Sequence, residues 1–114
     1  MTLYVFAKIT PKKEHYDDAK RAILDIIPTT LAEKGCLQFD LLTTATATAT
    51  TTDNDTETET EQREPRVLFL QEAFSDNAAL EYHHEQEYTK AVFTSYKQWL
   101  AQPVEIFKMI KLSA

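Results

Sequence analysis

The apolar residues of this chain change period as the sequence runs, and that alternation constrains the fold more than any other feature. Residues 3–9, LYVFAKI, form a short run rich in β-branched and aromatic side chains that stops at Thr10-Pro11, which predicts a strand. From 12 to 33 the step lengthens. Tyr16, Ala19, Ala22, Ile23, Ile26, Ile27 and Leu31 recur every three or four residues, the pattern of an amphipathic helix. Pro11 suits the start of that helix. Pro28 removes a backbone donor and crowds the preceding turn, so a kink or a break is expected there. Gly35 is the chain's one glycine and stands where the helix needs a left-handed residue to close. CLQFDLL (36–42) and RVLFLQEAF (66–74) then read as two further strands. Ser75-Asp76 offers a cap to a second helical pattern through Ala79, Leu80, His83, Tyr88, Val92, Tyr96 and Trp99, in one helix or two with a bend. Pro103 ends it, and VEIFKMIKL (104–112) gives a fourth strand.

The order β-α-β-β-α-β is the split βαβ, or ferredoxin-like, arrangement of an α+β protein: an antiparallel four-stranded sheet with both helices on one face. Residues 1–114 are expected to form a single domain of this kind. Helices cover only one face of such a sheet, yet the first and third strands carry apolar residues on both. An uncovered apolar face of that size predicts a homodimer packed sheet against sheet.

Residues 43–64 interrupt the pattern between strands two and three with TTATATATTTDNDTETETEQRE. Low complexity allows disorder. The alternation nevertheless has strand period, and threonine is a strand former. Folded about Asn54, the segment would present a threonine ladder on one face and an Ala/Glu stripe on the other. The expectation is an extended β-hairpin insert prolonging the two strands.

Charge and cysteine usage bound the partners. The net charge is −6, and Asp53, Asp55, Glu57, Glu59, Glu61 and Glu64 against Arg63 place most of it in the insert. No basic stripe favours phosphate binding, so nucleic acid is not an expected partner. Cys36 is the only cysteine, which excludes an intrachain disulfide and fits a reducing compartment. The N-terminal residues read as a strand and not a signal peptide, and no apolar run reaches membrane-span length. The expected location is cytoplasmic.

PTTLAEKGCLQFDL (28–41), FLQEAFSDNAALEYH (69–83) and QPVEI (102–106) resemble the antibiotic biosynthesis monooxygenase (ABM) family, nearest its bacterial quinol monooxygenase branch. The resemblance covers the chain apart from the threonine-rich insert. It implies a dimeric α/β barrel of ferredoxin-like subunits. It also implies an enzyme that oxidises a small aromatic quinol or phenol with molecular oxygen. No cofactor or metal is implied, because the deprotonated substrate is itself the reductant. Such a protein must supply a base, a dry aromatic-lined cavity and hydrogen bonds to the anion. The residues leave two alternatives open: a non-catalytic dimeric protein that binds a small ligand, and an isomerase of a small oxygenated metabolite.

His83 falls at the family's Ala-Leu-x-x-His position and is the candidate catalytic base, since an imidazole titrates near the required range; the alternative is a core histidine. His84 projects about 100° away on a helix and is expected outside the pocket. His15 is expected at the surface. Glu72 shares a strand face with Leu68, Leu70 and Phe74, and a carboxyl group there needs a partner. It is either a structural hydrogen-bonding group or a polar substrate contact. Phe74, Tyr88, Tyr96 and Trp99 are the further substrate-binding candidates, against the plainer reading of an aromatic core stripe. Tyr88 stands where the family often has a second histidine. The haem-degrading branch uses an asparagine on the first strand and a tryptophan late on the third, and Ala7 and Phe74 occupy those places here. Cys36 reads as a small buried residue, and adjacent histidines on a helix do not converge on a metal.

Overall fold

The computed structural model describes residues 1–45 and 66–113. The expected hairpin arm lies almost wholly outside the described residues. In chain order the elements are β1 (Leu3–Ile9), a 3-10 turn (Lys13–His15), α1 (Tyr16–Leu31), β2 (Cys36–Leu42), β3 (Leu68–Phe74), α2 (Asn77–His84), α3 (Glu87–Trp99) and β4 (Glu105–Met109). The strands form one antiparallel sheet in the order β2-β3-β1-β4. This is the ferredoxin-like α+β fold expected from the alternation of periods.

The register sorts every strand residue to one of two faces. Val5 pairs with Glu72, Ala7 with Leu70 and Ile9 with Leu68 across β1 and β3, and all six are buried beneath the helices. Ala19 and Ile23 of α1, Leu80 of α2, and Val92 and Tyr96 of α3 close over them. Phe74, Ile9, Ile23, Leu68 and Leu80 are almost fully buried, each worth about 1.5–3 kcal/mol relative to exposure. The other face carries Tyr4, Phe6, Phe69, Phe107 and Met109, with Phe6 opposite Phe107 and Tyr4 opposite Met109. Phe6 and Phe69 stack at 5.4 Å, while Phe107 is 50% and Met109 45% exposed.

Three local expectations are corrected. The helix is not broken at Pro28 but runs on to Leu31. The proline sits in the last turn, where its carbonyl still accepts from Ala32 N–H at 3.2 Å, and the carbonyl it leaves without a donor is that of Leu24, a residue on the exposed side of the helix. In that turn Thr30, and not Leu31, takes the inward position: Thr30 is fully buried and Leu31 is 47% exposed. Gly35 has no left-handed backbone. It is needed for space, because a Cβ there would stand 2.4 Å from Ala79 Cβ and 3.0 Å from Ser75 Oγ. That close approach seats α2 on the start of β2, beside the Ser75 N–H to Gly35 carbonyl bond of 2.8 Å.

The second helical pattern is two helices. Asp76 caps the first, its side chain accepting from Ala79 N–H at 2.9 Å. Gln86, in extended backbone, starts the second. At its far end α3 is tied to the β1 end by Lys12 N–H donating to the Trp99 carbonyl at 2.7 Å and Ala101 N–H to the Thr10 carbonyl at 2.8 Å. These bonds hold α3 over β1 and β4 and fix the roof of the space beneath it.

Candidate active site

The short helix α2 aims His83 inward. Leu80 and His83 lie three residues apart, on one face of the helix, and both are buried against the sheet. The His83 ring rests between Phe39 of β2 at 5.3 Å and Phe74 of β3 at 5.5 Å. At this depth an imidazole needs a polar partner. Glu33 provides it from the turn after α1, with Oε2 2.9 Å from His83 Nδ1 and both side chains about 5% exposed or less.

The corner between α2 and α3 completes the cluster. Gln86 Nε2 donates to the Tyr82 carbonyl at 2.8 Å across the corner. The first turn of α3 then brings Tyr88 and Thr89 alongside His83. Tyr88 O–H donates to the same Glu33 oxygen, Oε2, and Thr89 Oγ1 lies 3.5 Å from His83 Nδ1. Burial, and then the bond to Glu33, push the Tyr88 phenol upward. Tyr88 therefore stays a donor at neutral pH. With Tyr88 O–H already donating to Oε2, the His83 contact is met by the tautomer that carries its hydrogen on Nδ1, while Glu33 Oε1 is buried with no partner among the described residues. Nε2 is left with the lone pair and with no hydrogen bond among the described residues.

His83 opens on a narrow cavity of about 40 Å³ between the sheet and helices α1 and α3. Its walls are apolar, from Val5, Ala7, Ile23, Phe39, Leu70 and Ile106 among others, and its polar groups are Glu72, His83, His84, Thr89 and Tyr96. Phe93 and Ile106 line it and are 38% and 44% exposed, which places them at its mouth. Burial, and then the Glu33 charge, push the Glu72 carboxyl up to about 8. Burial also raises the Tyr96 phenol, and raises the Cys36 thiol to about 11. Cys36 is thus a buried thiol and no nucleophile. Among the described residues, no group of three or more His, Cys, Asp or Glu side chains is placed to hold a metal ion.

Of the residues expected at the site, His83, Glu72 and Tyr96 line the cavity. Three others do not. Phe74 is fully buried and supports the His83 ring from behind. Tyr88 holds Glu33. Trp99 lies near the far end of α3, stacked on His15 at 6.4 Å. His84, expected outside, does line the cavity. It is the last residue of α2, where the chain turns, and its ring reaches Phe93 at 5.5 Å. Burial, and then its neighbour His83, lower its pKa. His15 bonds Asp18 at 2.9 Å and is partly exposed. The residue sequence reasoning missed is Glu33. Its only signal was its place before Gly35-Cys36 in the 28–41 motif, since a polar residue after a helix reads as a solvated end.

The chain belongs to the antibiotic biosynthesis monooxygenase family, whose model matches residues 2–95. Solved structures agree on the fold. The protein Rv0793 from Mycobacterium tuberculosis superposes with a TM-score of 0.80 at 19% identity, over 100% of this chain and 98% of that one. PA3566 from Pseudomonas aeruginosa gives 0.76 at 24%, over 98% and 95%. A solved antibiotic biosynthesis monooxygenase gives 0.75 at 21%, over 97% and 99%. No curated protein sequence matches the chain significantly. Among the described residues, no helix is long and apolar enough to cross a membrane.

Proposed function

We propose that this chain is a cofactor-independent monooxygenase that oxidises a small aromatic quinol or phenol with molecular oxygen. In this reading it works in the cytoplasm as a homodimer packed sheet against sheet. The observation that carries the proposal is the Glu33–His83 pair, which leaves Nε2 unbonded at the edge of an apolar cavity. A carboxylate on Nδ1 orients an imidazole and stabilises its cation when Nε2 takes a proton. The aromatic ring enters by turning Phe93 and Ile106 aside, a side-chain rearrangement usual on binding.

His83 Nε2 removes the phenol proton, giving phenolate and an imidazolium steadied by Glu33. The phenolate passes one electron to oxygen, and the resulting radical and superoxide join at a ring carbon that bears hydrogen. The new peroxide anion takes back the proton from His83. Loss of that ring hydrogen and of hydroxide, as water, leaves a quinone. One phenol and one oxygen molecule thus give one quinone and one water, with all electrons drawn from the substrate. The dry cavity strengthens each electrostatic contact along this path.

Oxygen uptake with a panel of hydroquinones and naphthols tests the reading. Wild-type protein is expected to consume oxygen, and His83→Ala to lose about 10²–10⁴-fold in rate. No uptake with any member of the panel, or uptake unchanged in His83→Ala, overturns it in favour of a binding protein or an isomerase.

A further inference from the structure

Glu72 is a buried polar group that the dyad does not use. It is 5% exposed, lies in the middle of β3 opposite Val5 and Phe39, and lines the cavity. Among the described residues no hydrogen bond reaches its carboxyl group. A carboxyl group placed this way costs several kcal/mol unless something in the cavity answers it. No lysine or arginine lines the cavity to serve as that partner.

We propose that Glu72 is the specificity-determining residue of this cavity, donating its acid proton to a carbonyl oxygen of the substrate while His83 Nε2 faces the hydroxyl. The cavity then selects an uncharged phenol that also carries a carbonyl group. It rejects the corresponding carboxylates and phosphates, which would meet the Glu72 carboxyl group and no lysine or arginine. The proposal takes only the role of His83 from the oxygenase reading.

The groups around Glu72 all keep its proton in place. Glu33 beyond α1 repels a second negative charge, and Cys36 on β2 and Tyr96 on α3 stay neutral. Val5 on β1 and Ile106 on β4 are apolar. From α2, His83 is committed to Glu33, and the pKa of His84 is lowered, which favours its neutral form. Lys108 on β4 acts on His84 and does not line the cavity.

The test is ligand binding without oxygen, using three matched probes: a hydroxytetralone (phenol and carbonyl), tetrahydronaphthol (phenol alone) and hydroxynaphthoate (phenol and carboxylate). Wild-type protein at pH 7 is expected to bind the hydroxytetralone about tenfold tighter than tetrahydronaphthol, the size of one buried hydrogen bond. Hydroxynaphthoate binds more weakly than either. The tenfold preference fades as pH rises past 8. Glu72→Leu abolishes it, whereas Glu72→Gln, whose amide still donates, keeps it and removes the pH dependence. If Glu72→Leu does not fold, the wild-type pH series and Glu72→Gln decide the matter alone. Equal binding of the two neutral probes, or a preference for the carboxylate, overturns the proposal. Selectivity of the expected kind without any oxygen uptake would leave this inference standing and remove the oxygenase reading; uptake without selectivity would do the reverse.

Discussion

The two faces of the sheet invert the usual division between inside and outside. The face beneath the helices holds Glu72 and the Glu33–His83 pair in an otherwise apolar core. The open face displays Phe6, Phe69, Phe107 and Met109, with Phe6 stacked on Phe69 and opposite Phe107. Buried polar atoms cost stability unless they are partnered or used, and exposed aromatic clusters of this kind serve contact with another surface. The contrast is the one the proposed function uses, with chemistry on the covered face and association on the open one. Strand alternation makes this possible, because each residue step moves a side chain from one face to the other.

The comparison can be broken most sharply with phenylalanines. Phe74→Ala, on the covered face at 0% exposure, is expected to cost about 3–5 kcal/mol in denaturant unfolding. A cost as small as that of a surface change would mean the covered face is not the core.

The next effect is the pH dependence of stability. Glu72 rises from 4.5 to about 8 on folding. Between those values the native state holds a proton that the unfolded chain has released. Stability from this group is therefore fully present below 4.5 and falls as pH rises, by up to about 1.4 kcal/mol per pH unit, until 8. Glu72→Gln should flatten that slope in melts run across pH 5–8, and an unchanged slope would assign it elsewhere.

Gly35→Ala should cost about 1–3 kcal/mol, because the added methyl meets Ala79 Cβ and α2 must shift. The oxygen-consuming activity of Gly35→Ala and its near-ultraviolet dichroism should fall with its stability if α2 carries the base. Retention of both, at full stability, would show that α2 has slack. The smallest effect on the subunit fold belongs to the open face. Phe107→Glu should leave far-ultraviolet dichroism unchanged and alter monomer stability by no more than about 0.5 kcal/mol, while sedimentation shifts from dimer to monomer. Wild-type protein that sediments as a monomer at all concentrations would end the assignment of that face to self-association.

Much of this was legible in the residues. LYVFAKI and CLQFDLL become strands with the expected bounds, since period-two patterning and β-branched content act locally. Asp76 caps its helix because a short acidic side chain reaches the next turn in any context. His83 was marked by its place in a motif, and helix spacing from Leu80 turned it inward. Gly35 was noticed for a reason the fold does not use. Its backbone is unexceptional, and the methyl group of Ala79, 44 positions away in the chain, is what requires it.

The sequence by itself determined the alternation of strands and helices, and through it the face to which most side chains point. Tertiary structure alone decided that Glu33 would meet His83 across 50 residues and Tyr88 across 55. It also decided that Glu72 would enter the same cavity and that His84 would join its wall. Periodicity is a property of neighbours along the chain and encodes orientation about a single element. Convergence depends on how α1, the α2–α3 corner and β3 pack together, and no local pattern carries that distance.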